Sequence, residues 1–527
     1  MMTSSAENRS EQSMVPKPDS PVARRKHRPK FKLHRRVIGL IAGLTAAILV
    51  FLLVPSQLPP PLRFVVDDMG VPMYTPFALK VSAATAVLMI IWWVSEAIPL
   101  AATALVPLVV FPLTHLQDFQ TTAAPYASGT IFLFMGGFFL AFTVQRWGLH
   151  KRVALHTVKA VGTSPRMLIL GMMLATGFLS IWVSNTATAV MMLPIGLSIL
   201  ALVNGPDAKP SELVKSNFGK AMMLGIAYSA SIASLASLIS TPPNTMLRAY
   251  VKENYGMTIG FGQWMLFAGP TAVIFLFIGW LMLTRVLFPP EISDIPGGKE
   301  TIDKELAELG PMSRGEKLAG IVFIAAAFSW LLVPTLFPKS GITDELIAMI
   351  VSLAVFAIPV YPKRGVMLLD WNTAKDIPWN ILMLFGGGLA LSSAFTKNGL
   401  SAWIGYLSRG IGTLPVILIV IAIVIVTMAM TEMASNTATA AAMLPVMGGV
   451  ATGASQDALL FVVPVAMAAT CCFMMPMATP PNAIAYGTGY LKMGEMIKAG
   501  STMSLTAIVL ITVTVLVMGP LVLGITF

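Results

Sequence analysis

Two short polar stretches decide the reading of this chain: Ser184-Asn185-Thr186-Ala187-Thr188 and Ser435-Asn436-Thr437-Ala438-Thr439. Each lies in the middle of an apolar segment, 166–202 and 414–453, where nothing in the surrounding composition calls for a polar run. Each is followed at the same distance by a Leu-Pro pair, Leu193-Pro194 and Leu444-Pro445. Upstream, at the same offset, Phe134-Met135-Gly136-Gly137 through Gly148-Leu149 is matched by Phe385-Gly386-Gly387-Gly388 through Gly399-Leu400. Downstream, Thr241-Pro242-Pro243-Asn244 is matched by Thr479-Pro480-Pro481-Asn482, after a shorter loop in the second copy. Three matches in one order are the mark of an internal duplication.

The rest of the chain places this duplication in a bilayer. Of 527 residues, 56% are hydrophobic and 11% charged, and the mean hydropathy of +0.78 is far above that of soluble domains. A bilayer core takes about 20 apolar residues per helix, and by that rule about eleven spans are expected in addition to the two hairpins. They fall at 37–55, 78–97, 99–116, 130–147, 219–254 with a break, 262–288, 317–336, 345–361, 379–396, 458–489 with a break, and 500–526. The fold class expected is an all-α polytopic membrane protein with two re-entrant hairpins and an inverted-topology repeat.

The segments divide as follows. Residues 1–36 are a basic cytosolic tail too poor in apolar residues to fold alone, 37–129 and 317–378 are scaffold helices, and 289–316 is a charged cytosolic linker. Residues 130–288 form the first repeat unit, with its hairpin at 166–202 and its broken helix at 241–244; residues 379–527 form the second, with a hairpin at 414–453 and a break at 479–482. The formal charge of +11 is concentrated in Arg24, Arg25, Lys26, Arg28, Lys30, Lys32, Arg35 and Arg36, next to the first span, so it reads as a topology signal and not as a nucleic-acid surface. With the tail in the cytosol, Arg146, Lys151, Arg152, Lys215, Lys220, Lys304, Arg314, Lys363 and Arg364 fall on the same side, and Phe527 lies outside. An odd number of spans separates the two copies, so the second is inverted whether or not the hairpins cross completely. Inverted repeats are the architecture of many secondary transporters, with the site at the repeat interface near the midplane.

The chemistry of the motifs agrees with that architecture. A polar, non-helical tip at bilayer depth is tolerated only inside protein or beside a wet cavity. Ser, Asn and Thr are good N-caps, and the helices that start beside them would turn N–H groups and positive dipole ends toward the tip, a setting for carboxylates. Pro-Pro ends a helix and frees carbonyl oxygens, which with neighbouring hydroxyls and amides form a hard-oxygen environment for a small cation. Sodium suits this better than Mg²⁺ or Ca²⁺, because Glu432 is the only acidic side chain near the motifs. Glu432 itself has two readings, tuning a cation site or reaching the outer surface.

A lone Ser-Asn-Thr would be a packing contact and a lone Pro-Pro a turn; it is their ordered repetition that argues for a site. The Gly-rich runs lack a strand-then-helix context, which favours close helix packing over nucleotide binding. Cys471 and Cys472 are the only cysteines and read as small packing residues. A channel would need a continuous polar pore, and an intramembrane enzyme a His, Asp, Glu or Ser/Lys constellation at depth; neither is visible, so no enzyme and no cofactor is expected.

On these motifs, with Trp92-Trp93-Val94-Ser95-Glu96-Ala97-Ile98-Pro99 and Pro296-Gly297-Gly298, the sequence resembles the divalent anion:sodium symporter family, and its bacterial sodium-dependent dicarboxylate subgroup in particular. The resemblance runs from about Val37 to Phe527. It implies a homodimer in the plasma or inner membrane whose scaffold domains hold the interface while transport domains move as elevators. It also implies sodium-coupled uptake of C4-dicarboxylates such as succinate, fumarate and malate, with a sodium-independent dicarboxylate or citrate antiporter as the alternative on the same scaffold. By the same resemblance one sodium site maps to Ser180, Ser184, Asn185 and Ser240, and the other to Thr431, Ala434, Asn436, Ala478 and Pro480. Substrate carboxylates map to Ser184, Asn185, Thr186, Thr241, Pro242, Ser435, Asn436, Thr437, Thr479 and Pro480. The family's usual glycines before the first Thr-Pro-Pro are here Ile232 to Ser240, mostly Ala, Ser and Leu, whose Cβ atoms narrow the backbone.

Overall fold

The computed structural model describes residues 30–63, 74–162, 164–204, 213–294, 298–337 and 339–527. Most of the basic tail therefore lies outside the described residues, and so do Pro296 and Gly297. Helix α1 (Lys30–Leu53) begins inside the stretch expected to be tail, because Lys and Arg are good helix formers and extend the helix past its apolar part. Helix α2 (Pro76–Ser95) starts with Thr75 accepting a bond from the Ala78 N–H and with proline at its first position. The span expected at 99–116 is instead two short helices, Leu100–Thr103 and Val106–Leu113. Pro107 accounts for the interruption: its ring excludes the carbonyl four residues back, that of Thr103, the last residue of the first piece.

Helix α3 (Gly129–Arg146) turns through Gly148, at φ 73°, into α4 (Leu149–Val161). Ion pairs Lys151–Glu305 (2.8 Å), Lys159–Asp303 (2.6 Å) and Arg152–Glu316 (2.9 Å) hold α4 to the charged segment that follows the first repeat. That segment, expected to be a plain linker, carries a helix over Gly298–Glu308. The first hairpin is α5 (Pro165–Trp182) and α6 (Asn185–Asn204). The broken helix follows as α7 (Asn217–Ser234) and α8 (Pro242–Tyr255), then α9 (Phe261–Leu281).

Next come α10 (Arg314–Leu336) and α11 (Asp344–Ala357). The span expected at 345–361 stops at Ala357, since Pro359 and Pro362 turn the chain into a small antiparallel pair, Pro359–Tyr361 with Val366–Met367. The second copy repeats the first element by element: α12 (Trp379–Lys397), a turn through Gly399 at φ 80°, α13 (Leu400–Leu407), hairpin α14 (Val416–Met433) and α15 (Asn436–Ala454), broken helix α16 (Ala458–Thr470) and α17 (Pro480–Gly487), and α18 (Met493–Met518).

Among the described residues eleven helices are long and apolar enough to cross a membrane, and that number includes the four hairpin arms. At 1.5 Å per residue each arm is about as long as a bilayer core is thick. One arm of each hairpin lies deep in the molecule, with 67% of α5 and 78% of α15 buried, while α6 at 33% and α14 at 44% are partly exposed and α1 at 11% and α10 at 22% lie outermost. The outer helices instead expose apolar stripes, Leu44, Ile48 and Leu52 on α1 and Leu505, Val509, Val513 and Val517 on α18, recurring every fourth residue as a lipid-facing side does. Inside, small residues allow close approach. A Cβ on Gly453 or Gly449 of α15 would overlap the backbone of Gly405 or Ser401 in α13, so these two helices meet main chain to main chain.

Candidate functional site: two hairpin tips and two chain breaks

Both hairpins turn through one extended residue before the motif, Val183 (φ −118°, ψ 151°) and Ala434 (φ −129°, ψ 169°). Ser184 and Ser435 then cap the second arms, their hydroxyls accepting from the N–H groups of Ala187 (3.3 Å) and Ala438 (3.2 Å). Both chain breaks end alike. Thr241 (φ −134°, ψ 133°) and Thr479 (φ −136°, ψ 150°) are extended, and the prolines after them open α8 and α17. Proline is well placed at a helix start, where its missing donor costs nothing.

The prolines therefore begin the second half of each broken helix, and it is the asparagine after them that closes the first half. Asn244 Nδ2 donates to the carbonyls of Ser234 (3.3 Å), Leu235 (3.2 Å) and Ser237 (2.9 Å). Asn482 Nδ2 donates to those of Cys472 and Met475, both at 3.2 Å. Carbonyls expected to stand free at the breaks are thus partly taken, Leu235 also accepting from Trp264 Nε1 (2.9 Å) and Phe473 from the Tyr228 hydroxyl (3.0 Å). The segment Ile232 to Ser240 contains no residue at positive φ, so alanine and serine are accommodated where glycines had been expected.

In the first half-site Ser180 Oγ donates to Ala230 O (2.7 Å), and Ser240 Oγ to the carbonyls of Ser180 and of Val183. Ser180, Ser240 and the tip are thereby brought together. Asn185 Oδ1 accepts from the N–H of Thr186 at 2.8 Å, so one N–H expected to face a ligand is capped from within the motif. In the second half-site Thr431 Oγ1 lies 2.9 Å from both Asn436 Oδ1 and Ala469 O, and Cys472 Sγ donates to Asn436 Oδ1 at 3.1 Å. Ala478, at the position of Ser240, offers only its backbone, and Pro480 is exposed at the start of α17.

The half-sites touch each other. The hydroxyls of Thr241 and Thr470 are 3.4 Å apart, and the bond from Tyr228 on α7 reaches the second break. Thr437 and Asn185 are nearly buried, at 9% and 8% exposure. Tyr228, Thr470 and Cys472 belong to this assembly but were not singled out as site residues by the motifs; Glu432 belongs to it too, its 6% exposure going against the reading that took it to the outer surface. For Asn244 and Asn482 the signal was present, since the motif repeats as Thr-Pro-Pro-Asn. The lining is made of hydroxyl, amide and carbonyl groups, and no Lys or Arg occurs in 180–188, 235–245, 431–439 or 470–482.

Residues 65–525 match the model of the sodium:sulfate symporter transmembrane region. The chain belongs to the divalent anion:sodium symporter family. Curated relatives within this family are named sodium-dependent dicarboxylate transporters. The protein from Staphylococcus saprophyticus is 39% identical over 499 residues, 93% of this chain and 92% of that one, and the protein from Staphylococcus aureus strain USA300 is 38% identical over 440 residues, 82% and 85%. Among solved structures, the Alcanivorax borkumensis YdaH transporter aligns with a TM-score of 0.54 at 13% identity, over 93% of this chain and 98% of that one. Neisseria gonorrhoeae MtrF gives 0.52 at 14%, over 92% and 95%. At such identities the structural likeness concerns the fold alone.

Proposed function

We propose that this protein carries C4-dicarboxylates such as succinate, fumarate and malate into the cell together with sodium. The observation that carries this reading is the charge balance of the paired tips. They offer helix N-termini and hydroxyls to an anion, yet the four segments that build them contain no Lys or Arg. A dianion in such an interior lacks a fixed counter-charge, and its desolvation is compensated if cations enter with it. Hydroxyl, amide and carbonyl oxygens are the ligands sodium takes. The relatives' names support the same reading.

In this scheme sodium binds beside Ser180, Ser184, Asn185 and Ser240 and beside Thr431, Ala434, Asn436, Ala478 and Pro480. The carboxylates meet Ser184, Asn185, Thr186, Ser435, Asn436 and Thr437, with the starts of α8 and α17 at Thr241-Pro242 and Thr479-Pro480 closing around them. The hairpins are re-entrant, one from the cytosol and one from outside, and the N-terminus is cytosolic. The hairpins and broken helices move as one body against the scaffold helices of a homodimer in the plasma or inner membrane.

Succinate uptake into proteoliposomes, with and without an inward sodium gradient, tests the coupling. Uptake should require the gradient. Equal uptake without sodium, dependent on internal dicarboxylate, would establish exchange instead. Thr437→Ala and Asn436→Ala should each lower uptake while the protein stays folded and membrane-inserted; unchanged uptake would remove these residues from the site.

A further inference from the structure

Glu432 lies at the end of α14, three residues before Ser435, and is buried to 6% exposure. Its carboxylate leaves its own helix for the chain break that follows α16. Oε1 accepts from the N–H groups of Phe473 (2.8 Å) and Met474 (3.0 Å), and Oε2 from that of Met475 (3.0 Å). Three successive backbone N–H groups turned on one anion form a nest, and charge-assisted bonds of this kind are about twice as strong as neutral ones.

The first copy has no counterpart. Ile181 occupies the matching position, and the matching N–H groups, those of Leu235, Ala236 and Ser237, bond back to the carbonyls of Ile232 (3.2 Å), Ala233 (3.1 Å) and Ser234 (3.2 Å). The first break therefore closes its own donors in a tight turn. The second does not continue in that way, because Pro476 turns Met475 away from helical geometry, and without the carboxylate the buried Phe473 N–H and the part-buried Met474 and Met475 N–H groups would lose their partner.

We propose that Glu432 is a positioning residue of the second half-site: its carboxylate clamps the 471–479 break and acts on the cation through it. The clamped segment holds Cys472, whose thiol bonds Asn436 Oδ1, and the Cys472 and Met475 carbonyls held by Asn482. Glu432 thus sets the register of the second break against Thr431 and Asn436. This extends the sodium-coupled reading above and rests on it for its effect on transport.

The protein supplies its own reporter, because its only two cysteines, Cys471 and Cys472, are fully buried beside the clamp. In purified full-length protein without sodium, N-ethylmaleimide should label them slowly in the wild type and about tenfold faster in Glu432→Gln, which turns an amide N–H toward backbone donors. Glu432→Asp keeps the charge but shortens the reach; it should label about threefold faster and supplies the measurement if Glu432→Gln does not fold. In proteoliposomes, Glu432→Gln should raise half-saturating sodium about tenfold and leave the succinate KM at saturating sodium within about twofold. A shift in sodium dependence with unchanged labelling would make Glu432 a cation ligand and overturn the clamp, as would labelling and sodium dependence both unchanged. If wild-type uptake needs no sodium, the coupling reading fails alone, and labelling still decides the clamp.

Discussion

The two copies of Ser-Asn-Thr share their backbone and differ in how their asparagines are used. In the first copy Asn185 Oδ1 turns forward and caps the N–H of Thr186 at 2.8 Å. In the second, Asn436 Oδ1 turns back and receives the Thr431 hydroxyl at 2.9 Å and the Cys472 thiol at 3.1 Å. The breaks differ in the same sense, the first closed by its own turn and the second by a carboxylate from another helix. A duplicated motif thus preserves a shape while the bonds that hold the shape diverge. The first break closes its own donors and the second relies on a carboxylate from another helix, although both half-sites also carry bonds between elements far apart in sequence.

That contrast is most exposed to the clamping asparagines. Asn244→Ala leaves three buried carbonyls without this donor and Asn482→Ala two. Each amide carries two N–H donors, which Asn244 shares among three carbonyls, so with about 1 kcal/mol per lost bond each variant should lose about 2 kcal/mol, Asn244→Ala slightly more. Thermal unfolding in detergent should give the larger loss for Asn244→Ala; the reverse order would show the first break to be the less tightly closed.

A smaller effect separates the hydroxyls. Thr431→Ala removes a hydroxyl whose one proton is shared between Asn436 Oδ1 and Ala469 O at the tip itself, and Ser180→Ala a hydroxyl bonded to Ala230 O alone, so half-saturating sodium for uptake should rise about tenfold in the first and about threefold in the second. Equal shifts would erase the proposed inequality of the half-sites. Smaller again are the caps. Ser184→Ala and Ser435→Ala should each cost about 1 kcal/mol in unfolding experiments, because here the copies agree. The least effect is expected for Cys472→Ser, which retains a donor to Asn436 and should leave uptake within about twofold; Cys472→Ala, without that donor, should lower it further.

The sequence made the duplication legible because polar residues amid apolar ones stand out, and because Gly148 and Gly399, at φ 73° and 80°, occupy matching left-handed turns. The hairpin arms follow from the same pattern, α5 and α14 ending one residue before extended positions. Hydropathy was blind to what proline does inside an apolar run, so Pro107 and Pro359 shortened spans that had read as continuous. The first span was placed well, Arg36–Leu53 against 37–55, but the helix that carries it reaches back to Lys30, which hydropathy does not report. Within the site, the serine caps were readable from residue type. The role of Glu432 was not, because its donors lie 41 to 43 residues away in another helix's break, and no local pattern encodes that meeting. Tyr228 is the same case: its partner, Phe473, belongs to the other copy.

The seam of Gly405 against Gly449 and Gly453 has a mechanical meaning. Most helices slide past one another on side chains that flex like the pile of a carpet. Here no such layer exists, and the joint between α13 and α15 has no slack. A side chain at Gly405, Gly449 or Gly453 would have to wedge the two backbones apart, so the seam admits no residue larger than glycine without moving one helix off the other.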